Sequence, residues 1–275
     1  MTRIFDPIAL LGRSTIAFIT VLGELGLFTA AALAGLFRPP YYPRNIGRAF
    51  ADIGFFSLPV VAMTAIFTGM VLALQTYTGF ARFDAQSAIA SVVVLSLTRE
   101  LGPVLAGLMV AGRVGSAMAA EIGTMRVTDQ IDALTTLATD PIRYLVTPRL
   151  LAGIIALPLL VLIADVLGVA GGTLVATLRF GFNATDYLRQ TLQHLHSIDV
   201  VSGLIKSAVF GFVIALMGCF FGYRSRGGAQ GVGAATTSAV VAASILILKA
   251  SARALAAKKS WMGLIWTSPP APARW

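Results

Sequence analysis

Charge is scarce in this 275-residue sequence. Only 12% of the residues are Asp, Glu, Lys or Arg, whereas 57% are hydrophobic, and the mean hydropathy is +0.83. Soluble globular domains carry about 25% charged residues. The composition therefore excludes an ordinary soluble domain and indicates a protein that crosses a membrane several times.

Cysteine and histidine are nearly absent as well. The one cysteine, Cys219, excludes a disulfide framework and a cysteine-ligated metal site. The two histidines, His194 and His196, lack the HExxH spacing of a zinc peptidase, and the sequence has no GxxxxGK[ST] phosphate-binding loop and no GxSxG motif. We therefore expect no catalytic residues, no metal and no cofactor in this chain. If ATP powers the protein, a separate chain must hydrolyse it.

Basic residues outnumber acidic ones, which gives a formal net charge of +9. In a chain this apolar, basic loops follow the positive-inside rule and face anionic lipid headgroups. The charge therefore predicts a membrane surface as the partner, and no nucleic acid.

Six apolar segments account for most of the chain. An isolated strand cannot satisfy its backbone in lipid, and no alternating barrel pattern is present, so all six are predicted to be helices. They lie at about residues 15–37, 53–75, 88–120, 150–178, 203–223 and 237–255. We expect one membrane domain over residues 1–255, followed by a basic, disordered tail at 256–275.

The arginines predict the orientation of these segments. They cluster in the linker 38–48, in the region 113–149 and in the turn 224–236, which places all three in the cytoplasm. The later five segments then alternate as transmembrane helices. Both flanks of the first segment are basic, which favours an interfacial or re-entrant elbow helix. The predicted fold is an all-α polytopic membrane protein with an N-terminal elbow, five spans and a short cytoplasmic helix.

Two adjacent charges, Arg99 and Glu100, lie within the third apolar segment. Each costs about 2.5–3.5 kcal/mol at the centre of a membrane helix, and adjacent helical residues point about 100° apart, so the two cannot pair face to face. One interpretation is a polar point in a substrate cavity, where Arg99 contacts an anionic headgroup. The other is a structural interhelical salt bridge or a helix end.

An amphipathic pattern follows in the polar region after this segment. Val127, Ile131, Leu134 and Ala138 recur at helical spacing, which predicts a helix over residues 127–138 that is too short and too polar to span. Asp140-Pro141 is expected to end it, and Thr147-Pro148 is expected to start the next membrane helix as N-cap and N1. The periodicity is compatible with docking into a partner and with lying on the headgroups.

Several sequence stretches resemble the MlaE/YrbE family of ABC transporter permeases. They are RELGPVLAGLMVAGRVGSAMAAEIGTMRVTDQIDAL (99–134), DPIRYLVTPRLLAG (140–153), GVAGG (168–172), IKSAVFG (205–211) and GYRSRGGAQGVGAATTSAVVAAS (222–244). The resemblance implies a non-catalytic permease homodimer in a bacterial inner membrane, which moves phospholipid to or from the periplasm and outer membrane and maintains outer-membrane lipid asymmetry. It implies a cytosolic ABC ATPase dimer that carries ATP and magnesium, a periplasmic MCE-domain protein and, in some systems, a STAS-domain subunit.

The same resemblance implies roles for residues of this chain. Coupling to the ATPase falls on residues in and around the amphipathic helix: Glu121, Gly123, Asp129, Gln130, Asp132, Ala133, Leu134, Asp140 and Pro141. The resemblance also implies that a lipid cavity at the dimer interface is lined by Leu72, Gln75, Tyr77, Arg99, Glu100 and Leu101. The sequence departs from the family after Leu248, where a basic segment replaces a short apolar end.

Two other hypotheses belong to different classes. One is a proton-coupled secondary transporter that uses Glu100 or Asp165 as the proton carrier. The other is a membrane scaffold for an envelope complex that transports nothing. Co-purification of an ATPase would favour an ABC permease over the first hypothesis. Measured lipid movement would favour a transporter over the second.

Overall fold

Helices and turns, with no strand, make up the part of the chain that the computed structural model describes, residues 6–39, 41–80 and 89–267. In these ranges the helices are α1 (Asp6–Phe37), α2 (Pro43–Ile53), α3 (Leu58–Phe80), α4 (Ile89–Val127), α5 (Gln130–Thr136), α6 (Ile142–Phe180), α7 (Ala184–His194), α8 (Ser197–Tyr223) and α9 (Gly228–Thr267). Six stretches of the described residues are long and apolar enough to cross a membrane. The predicted all-α polytopic fold is confirmed.

Helix α6 lies at the centre of the bundle, with α3 on one side and α8 on the other. Aromatic contacts at both ends show that α6 runs parallel to the α2–α3 pair: Tyr42 packs on Tyr144, and Tyr77 stacks on Phe180 at a ring-centroid distance of 3.6 Å. Helices α4 and α8 run in the opposite direction. We call the end that carries Arg126, Arg143, Arg149 and Arg224 the basic end, and the end that carries α7 the distal end.

Glycines let α6 approach both neighbours until the backbones touch. A Cβ atom on Gly69 of α3 would overlap the carbonyl oxygen of Gly168, and one on Gly171 would overlap that of Ile66. On the other side, a Cβ on Gly153 would lie 2.8 Å from the carbonyl oxygen of Gly211. Small residues of this kind are how helices associate in lipid, where no hydrophobic force draws them together.

Three π-helical turns interrupt the long helices, at Leu97–Leu101 and Ala111–Gly115 in α4 and at Ile142–Val146 in α6. Each turn contains one arginine, namely Arg99, Arg113 or Arg143. Isolated π turns are frequent at functional sites.

Three contacts of helix α1 lie at the basic end of the bundle. Glu24 pairs with Arg224 at 3.0 Å, Phe28 packs on Phe220, and Gly35 lies against Thr147. Residues 24 and 35 are about 16 Å apart along a helix axis, yet their partners all belong to the same end of α6 and α8. These contacts attach α1 to the basic end of the bundle. Helix α1 is itself long and apolar enough to cross a membrane, so the elbow stays a prediction.

Several of the predicted boundaries differ from the observed ones. The linker 38–48 contains the start of α2, whose Ala49 and Ile53 are buried against the bundle. Helix α4 continues to Val127, past the predicted end at 120. Helix α6 begins at Ile142, so Thr147 is not its N-cap; the Asp140 carboxylate accepts a hydrogen bond from the Ile142 amide instead. Helix α9 continues to Thr267, past the predicted start of a tail at 256, and residues 268–275 lie outside the described residues.

The amphipathic helix is also shorter than predicted, with seven residues from Gln130 to Thr136. Asp129 and Ala138 have positive φ angles of 57° and 55°. Residues in this left-handed conformation cannot continue a right-handed helix. The helix is therefore limited by its two flanking residues, before Asp140-Pro141 is reached.

Replacing Gly69 with alanine tests the α3–α6 contact. The added methyl group meets the backbone of Gly168, which cannot rotate away, so we expect a loss of about 1–3 kcal/mol, as for other overpacked sites. The measurement is the thermal midpoint of the detergent-purified protein. Gly79→Ala, on the same helix with open space around it, is the matched control, and equal midpoints for the two variants would contradict the packing argument.

Candidate functional site

Four charged side chains of α4 and α8 form two ion pairs in the distal half of the bundle. Arg99 Nε lies 2.5 Å from Asp199 Oδ1, and Lys206 Nζ lies 2.7 Å from Glu100 Oε1. The hydroxyl of Ser251, on α9, donates to Glu100 Oε2 at 3.2 Å. The four charges cancel, as is required of ionisable groups inside a membrane bundle.

Pro103 explains part of this arrangement. A proline has no N–H, so one carbonyl in the preceding turn of α4 loses its hydrogen-bond donor. Lys206 Nζ donates to the carbonyl oxygen of Arg99 at 3.0 Å, and the α-carbon of Gly203 lies against the carbonyl oxygen of Thr98. Helix α8 therefore stabilises the break in α4 as well as its charges.

Of the two interpretations of Arg99 and Glu100, the structure contains the interhelical salt bridges. Arg99 nevertheless uses only Nε for its ion pair, and its terminal nitrogens make no hydrogen bond to the described residues. Its side chain is 32% exposed, whereas that of Asp199 is 5% exposed. A guanidinium has five N–H donors. The Nε–H of Arg99 binds Asp199, and the four N–H groups of the terminal nitrogens are available to a ligand.

The six predicted lining residues lie in three different environments. Leu72, Tyr77 and Leu101 pack against one buried apolar cluster in the distal half. This cluster also contains Tyr187 of α7, and burial raises the pKa of the Tyr187 hydroxyl to about 12, so it stays neutral. Arg99 and Glu100 instead face α8 and α9, and Gln75 is exposed. The six residues therefore do not line one cavity within a single chain.

Asp165, the other proposed proton carrier, lies on α6 against Gly102. It is 8% exposed, and its Oδ1 atom has no hydrogen-bond partner among the described residues. Glu100, by contrast, is bonded by Lys206 and Ser251. The two carboxyl groups therefore differ in environment, and only Glu100 is part of the ion network.

Helix α5 is displayed at the basic end between α4 and α6. Ile131 is buried and Leu134 packs on the core, as the periodicity predicts, while Leu137 just beyond the helix is 74% exposed. Arg126, at the end of α4, binds Asp132 of α5 at 2.6 Å and lies 5.7 Å from the centre of the Tyr223 ring of α8. One arginine therefore connects α5 to two spans.

The other predicted coupling residues surround α5. Glu121 pairs with Arg149 at 2.7 Å, and Asp140 pairs with Arg143 at 3.3 Å. Gln130 donates to Thr128 Oγ1, Asp129 forms the left-handed turn before the helix, and Ala133 is exposed. Gly123 and Pro141 are buried, and a Cβ on Gly123 would lie 3.3 Å from the Ser225 side chain. The structure brings all nine residues together around one end of the bundle.

Asp199, Lys206 and Arg126 were not predicted as functional residues. Lys206 had a visible signal, because it is a charge inside a predicted span (203–223) and so needs a partner. Asp199 lay just before that span, and its separation of 100 residues from Arg99 gave no local signal.

Comparisons with known proteins agree with this architecture. Residues 46–255 match the sequence profile of the family described as Permease MlaE. The chain is 62% identical to a probable ABC transporter permease protein of Rickettsia felis over 237 residues, covering 86% of this chain and 92% of the relative.

Two more distant relatives carry more specific names. The intermembrane phospholipid transport system permease protein MlaE of Haemophilus influenzae is 35% identical over 249 residues, covering 89% of this chain and 94% of the relative. The chloroplastic protein TRIGALACTOSYLDIACYLGLYCEROL 1 of Arabidopsis thaliana is 41% identical over 198 residues, covering 72% of this chain and 57% of the relative. The family match and these identities show that the chain is a multi-pass membrane protein that belongs to the MlaE family of ABC transporter permeases.

Proposed function

We propose that this permease moves phospholipid between a bacterial inner membrane and the periplasm or outer membrane, and so maintains outer-membrane lipid asymmetry. The observation that carries the proposal is the 35% identity to an intermembrane phospholipid transport permease over 94% of that protein. The basic end faces the cytoplasm, because cytoplasmic segments carry the excess of arginine.

The proposed partners follow from the two ends of the molecule. A cytosolic ABC ATPase dimer, which holds ATP and magnesium, binds α5 and its surroundings at the basic end. A periplasmic MCE-domain protein receives or delivers lipid at the distal end, and a STAS-domain subunit joins the cytosolic part in some systems. Two copies of the chain enclose the lipid cavity, with Leu72, Gln75, Tyr77, Arg99, Glu100 and Leu101 on its walls.

Rigid attachment of α5 supports its role as the coupling helix. Ile131 anchors it in the core, and the Asp132–Arg126 ion pair ties it to α4. A short helix held at several points transmits displacement to the spans, whereas a helix resting loosely on headgroups would not. Two exposed residues, Ala133 of α5 and Leu137 just beyond it, are available to a partner groove.

The terminal nitrogens of Arg99 support its role as a headgroup contact. They point to no partner in the described residues, and guanidinium groups bind phosphate through paired N–H donors. In this mechanism Asp199 is a positioning residue that orients Arg99 through Nε. The chain itself performs no covalent chemistry.

The coupling proposal predicts the behaviour of Asp132→Lys. This exposed ion pair contributes no more than about 1 kcal/mol to stability, so the variant inserts and folds, but like charges then face each other at Arg126 and α5 is displaced. We expect retained expression together with loss of lipid-stimulated ATP hydrolysis by the reconstituted complex. The rival proton-coupled transporter predicts that no ATPase co-purifies with the wild-type protein.

The matched control for Asp132→Lys is Asp186→Lys, the same charge reversal on exposed α7 at the distal end. It should leave ATPase binding and its lipid stimulation unchanged at the basic end. Equal ATP hydrolysis in both variants would contradict the assignment of α5 as the coupling helix.

The headgroup role of Arg99 predicts opposite results for the two partners of one ion pair. Arg99→Gln removes the phosphate contact, so we expect lipid bound to the purified complex to fall about tenfold, the value of one charge-assisted hydrogen bond. Asp199→Asn keeps an amide oxygen that still accepts from Arg99 Nε and orients the guanidinium, but removes the negative charge that competes with the phosphate, so bound lipid should stay equal or rise. Bound phospholipid is measured by mass spectrometry after extraction.

A purely structural ion pair predicts a different pattern for the same variants. Both would then lower the thermal midpoint by similar amounts, and bound lipid would fall in both to the same extent. The scaffold hypothesis predicts no change in lipid movement for Arg99→Gln while the complex still assembles.

A further inference from the structure

A polar cavity lies at the basic end, at the opposite end of the bundle from Arg99. Its volume is about 480 Å³, and it opens between α2, the end of α4 and the start of α6. The polar side chains that line it are Asn45, Arg48, Asp52, Arg113, Glu121 and Arg149. None of the distal residues discussed above contributes to it.

The cavity contains positive charge that the chain does not neutralise. Arg149 is compensated by Glu121 at 2.7 Å. Arg113 donates only to neutral acceptors, the Ser57 hydroxyl at 2.9 Å and the Asp52 carbonyl at 3.3 Å. Arg48 is exposed and makes no ion pair with the described residues. Two cationic groups therefore face one unpaired carboxylate, that of Asp52.

The same cavity also has an apolar wall. Val114, Met118, Met125 and Leu145 line it beside the polar side chains. Polar and apolar lining therefore meet within one cavity.

This juxtaposition matches the shape of an amphiphile. A phosphate group is recognised by guanidinium groups, and basic pockets between spans on the cytoplasmic side bind lipid headgroups. A free phosphate ion would use the charges but leave the apolar wall uncovered. A neutral lipid would cover the wall but leave the net positive charge of the cavity without an anion.

We propose that the cavity between α2, α4 and α6 is a binding site for an anionic phospholipid of the cytoplasmic leaflet, with its phosphate at Arg48 and Arg113 and its glycerol backbone and the adjoining acyl carbons against the apolar wall. The site is distinct from the distal lipid cavity. Binding there is measured without transport or ATPase, so its failure leaves the proposed transport function untouched.

The test is native mass spectrometry of the full chain in a neutral detergent, titrated with phosphatidylglycerol. Arg48→Glu is the informative variant, because Arg48 makes no contact whose loss would unfold the protein. We expect its tightest phosphatidylglycerol site to weaken about tenfold or more. Arg44→Glu, one turn away on α2 and outside the cavity lining, is the matched control and should change the affinity less than about twofold.

Two further ligands identify what the site recognises. Diacylglycerol, which lacks the phosphate, should not occupy the site, and glycerol 3-phosphate, which lacks the acyl chains, should not displace phosphatidylglycerol at equal concentration. Arg113→Gln provides a second variant with the same expected loss. Equal affinities for Arg48→Glu and Arg44→Glu would overturn the proposal, and so would displacement by glycerol 3-phosphate, which would reduce the site to an anion pocket.

Discussion

Backbone contact at glycines is the constraint on which the rest of this bundle depends. In lipid, two helices gain nothing from hiding apolar side chains, so they associate through close packing. Gly69 against Gly168 and Gly153 against Gly211 allow α6 to touch α3 and α8 along their lengths. The position of α4 along α6 is fixed by a further contact, since Asp165 of α6 lies against Gly102 of α4.

Helix α4 is interrupted at that level, and the interruption is stabilised by other helices. Pro103 removes a backbone donor, and the preceding π turn carries Arg99 and Glu100 into the bundle. Helix α8 supplies what is missing: a carboxylate for Arg99, and from Lys206 a cation for Glu100 and a donor for an orphan carbonyl. Away from water, each of these groups raises the free energy of the folded state when it is unpaired, and pairing offsets that cost. The ion network and the helix break are therefore one feature.

Sequence reasoning predicted those parts of the molecule that local patterns determine. The number of apolar segments, the inward faces of Ile131 and Leu134, and the need of Arg99 for a partner all follow from periodicity and from the cost of charge in lipid. The partner itself, Asp199, could not be predicted, because the pairing depends on how α4 and α8 pack. Helix α2 was missed although Ile46, Ala49, Phe50 and Ile53 recur at helical spacing, because this pattern falls across the predicted boundary between the basic linker and the next apolar segment.

The length of α5 illustrates the same limit. Its apolar periodicity continues to Ala138, so the pattern alone extends the helix beyond its real end. The left-handed conformations of Asp129 and Ala138 limit it to seven residues, and asparagine and aspartate are among the few non-glycine residues that adopt this conformation readily. Of the two residues that limit the helix, Asp129 is therefore of a type that the sequence marks as able to adopt the left-handed conformation, whereas Ala138 is not.

Helix α4 links the two ends of the molecule through its two π turns. Arg99 and Arg113 are 14 residues apart, about 21 Å along the helix, which is less than the roughly 30 Å hydrocarbon core. Each arginine is held by a different neighbour: Arg99 by α8, and Arg113 by Ser57 and by the carbonyl of Asp52 at the end of α2. Arg126 then ties the same helix to α5. Helix α4 therefore joins α5 at the basic end to arginine contacts with separate helices in both halves of the bundle.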